Sequence, residues 1–379
     1  MRIGIDASSA VSPHWGGPEN YSYYLIHEFA KMDKSNEYYL YFNHLPIRPL
    51  PQQDNFRLVY FTMPRFWTHL GLPCHLVHDK IDVFFSPAHS LPFILPSKIP
   101  CLYTVHDLAF VFLKRHYDLF SRFYLNLSVK YSARRANQVL AVSVSTKRDL
   151  VEQLNIEEQK VTVVPNGYDG EVFYPVESSK VEDVLLKYEL TDPYLLNVAT
   201  IQPRKNHIRL IESFSKVARR YNQDSKYRNL KLVLVGKPGW QYRDIYDSPR
   251  KFGVEDRVLF LGHIPDHDVP SLMTGALALT YPSLYEGFGL AALEAMACGT
   301  VVLTSNISSL PEAVGSCGVL TDPYSINSLT EGIVGILEMT SEQRETLINN
   351  GLKRAADFTW QKAAERTLTL LKSLIYDTS

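Results

Sequence analysis

Short apolar runs alternate with helical patterns along the whole chain. Arg2–Ile5, Tyr38–Phe42, Val83–Ser86, Cys101–Val105, Val139–Val142 and Val161–Val164 predict strands. Tyr21–Phe29 and Phe120–Ala136, between them, carry apolar residues at helical spacing. A second series begins near Tyr194. Its predicted strands are Leu195–Ala199, Leu230–Val235, Val258–Leu261, Ala276–Tyr281, Val301–Leu303 and Gly318–Leu320. Its predicted helices are Ile208–Ala218, Val269–Thr274, Leu290–Ala297, Ile326–Met339 and Ser341–Asp357. Strand–helix alternation with buried, β-branched strands implies parallel sheets covered by helices. Two such series imply an α/β chain of two Rossmann-like domains. The junction is expected at Pro165–Pro193, where Asn166-Gly167 makes a turn and the chain becomes polar. A last helix, Trp360–Tyr376, could join either domain.

Length agrees with two domains, since 379 residues exceed the usual single-domain size. A hydrophobic content of 45%, a charged content of 21% and a net charge of −1 describe an ordinary globular surface and give no sign of a nucleic-acid partner. The four cysteines, Cys74, Cys101, Cys298 and Cys317, stand far apart and suggest neither a zinc site nor a disulfide framework. Reduced thiols in a cytosolic protein are the simple reading. Sequons at Asn126 and Asn306 carry little weight without a secretory signal, and the N-terminus Met-Arg-Ile-Gly-Ile-Asp lacks an apolar signal core. No apolar run approaches the roughly 18 residues of a spanning helix. A soluble, cytoplasmic protein is expected, with contact to a membrane surface left open.

The densest chemistry lies in Tyr281–Gly299. A strand runs into Pro282, a loop with Gly287 and Gly289 follows, and a helix begins that Gly299 is placed to end. The loop after a strand of an open parallel sheet lies at the carboxyl edge, where ligands bind. Glycines let backbone N–H groups approach a ligand, and a helix N-terminus favours phosphate. Glu286 precedes the helix and Glu294 lies one turn inside it. Two carboxylates so spaced suit hydroxyl pairs of a sugar and a ribose. On spacing alone they could equally be a capping acid and a surface residue. Arg204-Lys205 follows the strand Leu195–Ala199, and two adjacent cations on such a loop suit a diphosphate.

Pro282-Ser283, Glu286-Gly287-Phe288-Gly289-Leu290 and Glu294-Ala-Met-Ala-Cys-Gly299 together resemble the signature of the retaining glycosyltransferases of family four. Ala291 stands where that family usually has proline, which should loosen the helix start slightly. The resemblance implies the GT-B fold, two Rossmann-like domains facing each other across a deep cleft. It implies residues 1–170 as an acceptor-binding domain, 171–359 as a nucleotide-sugar-binding domain, and the helix 360–379 packed back on the first. Gly16-Gly17 resembles the family's glycine loop, which closes over the donor diphosphate. His106, after the strand Leu102–Val105, resembles its active-site histidine, bonded to the donor sugar or acceptor. Lys205 matches its usual lysine, whereas Thr200 stands where its arginine often lies, so Arg204 could replace that arginine or face solvent. Val142–Ser145, Pro165–Asp169 and Phe358-Thr359-Trp360 resemble further family segments.

The activity so implied is transfer of a hexose from a nucleoside diphosphate to a hydroxyl of a polysaccharide or glycolipid, with retained configuration. UDP-glucose or another UDP-hexose is the first expectation for the donor and GDP-mannose the second. His106, Glu286 and Lys205 would act in transfer. Gly16, Gly17, Arg204, Lys205, Gly287, Phe288, Gly289, Leu290 and Glu294 would hold the donor. No cofactor or metal is expected. Asp266-His267-Asp268 resembles a metal motif of other folds, but its place before Val269–Thr274 predicts helix capping. Lys237 reads as a surface loop residue. Lys114–Arg135 is basic and aromatic, including Lys114, Arg115, Arg122, Lys130, Arg134 and Arg135; its apolar residues are expected to face the core and its cations to meet solvent, anionic lipid or a diphosphate-linked acceptor. Phe61–Leu70, with Phe66 and Trp67, is of the same kind. Three rivals are a GT-B nucleotide-sugar epimerase, an NAD-dependent enzyme, which lacks its G-x-G-x-x-G, and a non-catalytic sugar-nucleotide-binding protein.

Overall fold

The structure is a computed structural model that describes residues 1–13, 16–61, 63, 67–88, 90–114 and 117–376. Arg115 and Phe66 lie outside the described residues. The chain forms two compact units, Met1–Gly167 with Thr359–Ser379, and Tyr168–Phe358.

In the first unit, β1 (Arg2–Asp6), α1 (Gly17–Met32), β2 (Glu37–Phe42) and β3 (Phe56–Tyr60) lead to α2 (Leu72–His78), β4 (Val83–Ser86) and β5 (Cys101–Val105). Then come α3 (Ala109–Phe112), α4 (Leu119–Arg135), β6 (Gln138–Ala141), α5 (Val144–Leu154) and β7 (Val161–Val163). The sheet runs β3-β2-β1-β4-β5-β6-β7 with every pair parallel. The strands are apolar on both faces, as a sheet covered by helices requires; Ile3, Ile5, Val83, Phe84 and Leu102 are all fully buried.

The second unit holds α6 (Ser178–Lys187), β8 (Tyr194–Val198), α7 (His207–Arg220), β9 (Lys231–Val235), α8 (Arg243–Phe252), β10 (Val258–Gly262) and α9 (Val269–Gly275). It continues through β11 (Ala278–Tyr281), α10 (Leu290–Ala297), β12 (Val302–Ser305), α11 (Leu310–Val314), β13 (Val319–Thr321), α12 (Ile326–Leu337) and α13 (Ser341–Ala355). Its parallel sheet runs β10-β9-β8-β11-β12-β13, so the strand order reverses between β8 and β11. Loops that follow those two strands therefore open at a switch point, where doubly wound sheets bind ligands.

The last helix, α14 (Trp360–Tyr376), belongs to the first unit. Its Trp360 ring stacks on Tyr24 of α1 at 5.3 Å. Gly167 is required here: a Cβ on it would lie 2.1 Å from the Trp360 backbone nitrogen. Leu25, Ala364 and Leu371 are buried on α1 and α14.

One expectation is overturned in part in α4. Leu125 and Val129 pack against the core as expected, but the other apolar residues from Leu119 to Leu127 do not. Leu119, Phe120 and Phe123 are 79%, 78% and 69% exposed, and Tyr124 and Leu127 are exposed too. The buried side is Ser128, Ser132 and Ala133. Small residues let the helix lie close to its neighbours, and Ser132 Oγ accepts the Leu91 N–H at 3.0 Å. Within the expected junction the chain folds into α6, with Val181 turned inward. The four cysteines are free thiols.

Candidate active site

Two loops of the second unit converge at its switch point. One follows β8 and carries Arg204 and Lys205 in a single tight turn, Pro203–Lys205. The other follows β11 and carries Glu286. Lys205 Nζ donates to Glu286 Oε1 at 2.6 Å and to the Tyr281 hydroxyl at 2.6 Å. Tyr281 in turn donates to Glu286 Oε1 at 3.0 Å. Arg204 Nη1 stands 3.5 Å from Glu286 Oε2 and donates to the Tyr285 carbonyl at 3.2 Å. Arg204 therefore does not face solvent; it leans over the same carboxylate.

Glu286 and Lys205 are only 7% and 8% exposed, so this is a buried ion pair. Burial alone would raise the Glu286 pKa. The Lys205 and Arg204 cations outweigh it and hold the carboxyl at about 2. Burial, and then the Glu286 charge, push the Tyr281 hydroxyl well above its usual value, so it remains a donor. A carboxylate held at about 2 is ionised at every working pH. It can accept hydrogen bonds from hydroxyl groups, but it cannot serve as a general acid.

The two loops are knitted together by backbone-directed bonds. Asn206 adopts the left-handed conformation, φ 64°. Its Nδ2 donates to the carbonyls of Pro282 at 3.0 Å and Pro323 at 2.8 Å. Leu284 N donates to the Arg204 carbonyl at 2.9 Å. Ser309 Oγ donates to the Glu286 carbonyl at 2.9 Å, and Ser308 Oγ accepts the Glu286 N–H at 3.1 Å. Cations and carboxylate are thus fixed by three neighbouring loops, the preorganisation that electrostatic catalysis needs.

Gly287, Phe288, Gly289 and Leu290 complete the approach to α10. Gly289 caps the helix at φ 100°, and a Cβ there would meet Leu310 at 2.7 Å. Phe288 is buried with its ring edge-on to Phe358 at 5.5 Å. The N-terminus of α10 therefore presents backbone N–H groups beside the ion pair. Gly299, φ 72°, ends the helix as its sequence position suggests. Glu294 lies inside α10 and is half-buried. Desolvation, then the Asp266 and Asp169 charges, push its carboxyl up to about 7. The two glutamates of one motif thus sit in opposite electrostatic surroundings.

Of the segment Asp266-His267-Asp268, Asp268 takes the N-cap position of α9, but its side chain does not make the expected capping bond. Its carboxylate accepts from Lys187 Nζ at 2.6 Å and the Tyr188 hydroxyl at 2.7 Å, which ties α9 to α6. Asp266 and His267 are exposed. Lys237 is exposed on the loop after β9.

Three sequence-selected residues lie in the first unit. Gly16 precedes α1 and Gly17 is its first residue; among the described residues, a Cβ on Gly17 would meet nothing within 4 Å. His106 follows β5. Its Nε2 lies 2.7 Å from the Pro87 carbonyl. A carbonyl cannot donate, so Nε2 carries the proton and the tautomer is set. Tyr21 meets the imidazole edge-on at 4.9 Å. Sequence reasoning missed Tyr281, Asn206, Ser308 and Ser309. The tyrosine could have been found, since it closes the strand that leads into the motif.

The chain matches the family model described as glycosyl transferases group 1 over residues 184–354 and that described as glycosyltransferase family 4 over residues 15–172. O-antigen chain mannosyltransferase B of Escherichia coli is 29% identical over 76% of this chain and 74% of its own length. Serotype-specific mannosyltransferase WbdA of Escherichia coli is 30% identical over 76% of this chain, which spans only 34% of that longer protein. Among solved structures, sucrose-phosphate synthase from Thermosynechococcus elongatus superposes with a TM-score of 0.77 at 21% identity, covering 100% of both chains. WaaG, a glycosyltransferase involved in lipopolysaccharide biosynthesis, does so at 0.75 and 18% identity over 98% of this chain and 99% of its own. At those identities the likeness speaks for the fold, which is GT-B. With a family model over each unit and the Glu286–Gly299 motif in place, the chain belongs to the family 4 glycosyltransferases.

Proposed function

We propose that this glycosyltransferase moves a hexose, mannose ahead of glucose, from a nucleoside diphosphate to a hydroxyl of a growing polysaccharide or glycolipid, with retained configuration and without a metal. The observation that carries the reading is the buried Glu286–Lys205–Arg204 cluster beside the N-terminus of α10. Lys205, Arg204 and the backbone N–H groups of Gly287–Leu290 stabilise the departing diphosphate, where charge develops. Glu286 accepts from hydroxyls of the transferred sugar. Glu294 accepts from the ribose. His106 bonds the sugar or acceptor from the first unit, and the departing diphosphate takes the acceptor proton.

The donor order reverses the one expected from sequence. The E. coli relatives are named mannosyltransferases, which supports GDP-mannose before UDP-hexoses. A solved neighbour in complex with UDP-glucose, HepE of Anabaena, keeps UDP-glucose as the next candidate. The O-antigen relative supports a polysaccharide acceptor. A cytoplasmic location is part of the same reading, and four free cysteines suit a reducing compartment.

Thermal-shift measurement with GDP, UDP and ADP tests the donor assignment. A ligand at 100 times its dissociation constant stabilises by about 2.7 kcal/mol, which raises the midpoint by several degrees. GDP is expected to give the largest rise. A larger rise with UDP would move the donor to UDP-hexose, and no rise with any nucleotide would remove the donor site from this unit.

A further inference from the structure

A buried polar chain leads to the ion pair and has no part in the reading above. Asn197 stands within β8 between the apolar Leu196 and Val198. It is fully buried, as are Thr280 of β11 and His207, the first residue of α7. Polar groups sealed from water are costly unless they are bonded. Asn197 Nδ2 donates to the Thr280 carbonyl at 2.6 Å, and Thr280 Oγ1 donates back to the Leu196 carbonyl at 3.1 Å. Asn197 Oδ1 lies 3.1 Å from His207 Nε2, and His207 Nδ1 lies 3.3 Å from the Gln202 carbonyl. That carbonyl also accepts the Lys205 N–H at 3.0 Å. The chain thus runs from the β8–β11 pair to the turn Pro203–Lys205.

The acceptors fix the protons. The Thr280 carbonyl can only accept, so Asn197 turns its amide nitrogen there and its oxygen to the ring. That oxygen needs a donor, so Nε2 carries the imidazole proton. Burial, and then the Lys205 charge, outweigh the pull of the Gln202 carbonyl and hold the His207 pKa down at about 4. The ring therefore has no second proton at neutral pH. Nδ1 meets the Gln202 carbonyl lone pair to lone pair, so the ring acts there as a spacer and leaves that carbonyl to the Lys205 N–H. Asn206 and Leu284 hold the same turn toward the loop after β11. His207 ties it to β8.

We propose that His207 and Asn197 are positioning residues for sugar transfer: they fix the turn that brings Lys205 and Arg204 to the departing diphosphate, and neither touches substrate. Both are fully buried, so they act only through their neighbours. Electrostatic groups are effective when they are held in place before the reaction, and a misplacement of about 1 Å can cost about 10²-fold. The role in transfer rests on the assignment of Lys205 to the diphosphate. The Lys205–Glu286 geometry can be read without it.

Three variants of the full chain test this. His207→Leu removes the ring's donor, His207→Gln offers an amide N–H in its place, and Asn197→Ala removes the acceptor and keeps the ring. Transfer is measured where each variant is folded, and chemical denaturation is followed into acid. His207→Leu should lower kcat about 10–100-fold and leave the acceptor KM within about twofold. Its acid limb of stability should move to higher pH, because a displaced Lys205 no longer holds Glu286 at about 2. A side chain that merely fills space would lower stability and move neither kcat nor the acid limb. His207→Gln should recover most of both, and Asn197→Ala should follow His207→Leu and carry the test if that variant does not fold. Wild-type kcat in His207→Leu or Asn197→Ala, a lower kcat with the acid limb unmoved, or equal losses in His207→Leu and His207→Gln overturns the proposal. If Lys205→Met left transfer intact while His207→Leu moved the acid limb, the diphosphate reading would fall and the positioning of Lys205 would stand.

Discussion

Lys205→Met is expected to cut sugar transfer by about 10²–10³-fold, the usual cost of removing one preorganised electrostatic group from a site of developing charge. The same change should destabilise the fold by about 3–5 kcal/mol, because it strands a buried carboxylate. In the native protein Glu286 draws its low pKa from Lys205 at 2.6 Å and Arg204 at 3.5 Å. A carboxyl whose folded pKa lies at about 2, below the ordinary 4.5, adds stability above the ordinary value. That stability is lost as pH falls from 4.5 through about 2. Without Lys205 the folded pKa rises, so the acid limb of the stability profile should move to higher pH. Adding Glu286→Gln removes the stranded charge. The double variant should therefore recover much of the stability and none of the activity. Recovery of both would mean that the pair is structural. Glu286→Ala alone should lose about 10–100-fold in turnover, as for one charge-assisted bond. Chemical denaturation at several pH values, run beside a transfer assay, separates these outcomes.

Glu294 should behave in the opposite sense. Its carboxyl titrates at about 7, raised by desolvation and by Asp266 and Asp169. Here the native state holds a proton that the unfolded chain has released, so stability should fall as pH rises from about 4.5 to about 7 and then level off. Glu294→Gln cannot ionise and should flatten that segment of the profile. Ribose hydroxyls donate to the ionised form, so nucleotide affinity should climb through the same interval and release no proton above it. Glu294→Ala should weaken nucleotide binding about 10–100-fold at pH 8, where the wild-type group is charged, and much less at pH 5.5. Calorimetry at the two pH values reads this directly. Equal affinity of wild type and variant at both would remove Glu294 from the nucleotide site.

The two sheets were legible because strands buried on both faces leave uninterrupted apolar runs, such as Val83–Ser86 and Cys101–Val105, whose observed bounds are those expected. The edge strand β3 was not. It lies outermost in its sheet, and Arg57 and Leu58 are exposed, so its run is mixed. Helix α8 was hidden by its polar composition and by Pro249 within it. The direction of the α4 face was misjudged for a plainer reason. Aromatic residues at helical spacing define a face, but the spacing does not say whether core or solvent meets it. The inward side mixes buried Ser128, Ser132 and Ala133 with Leu125 and Val129, which pack on the core.

At the site, Glu286 and Lys205 could be picked out by residue type and position. Their direct ion pair could not, because 81 residues separate them and only the adjacency of β8 and β11 brings them together. Asn206, Ser308 and Ser309 act on backbone carbonyls and N–H groups, which carry no side-chain identity for a motif to record. The opposite settings of Glu286 and Glu294 also depend on neighbours distant in sequence, Lys205 and Arg204 for one, Asp266 and Asp169 for the other.

Proton NMR of the anomeric region, recorded during turnover of GDP-mannose with a saccharide acceptor in the presence of EDTA, tests the central claim most directly. The account predicts loss of the donor's anomeric signal and growth of a glycoside signal of the same configuration, both slowed at least about tenfold in Glu286→Gln. A product of inverted configuration, a reaction that stops with EDTA, or a donor that changes only into its epimer would contradict it.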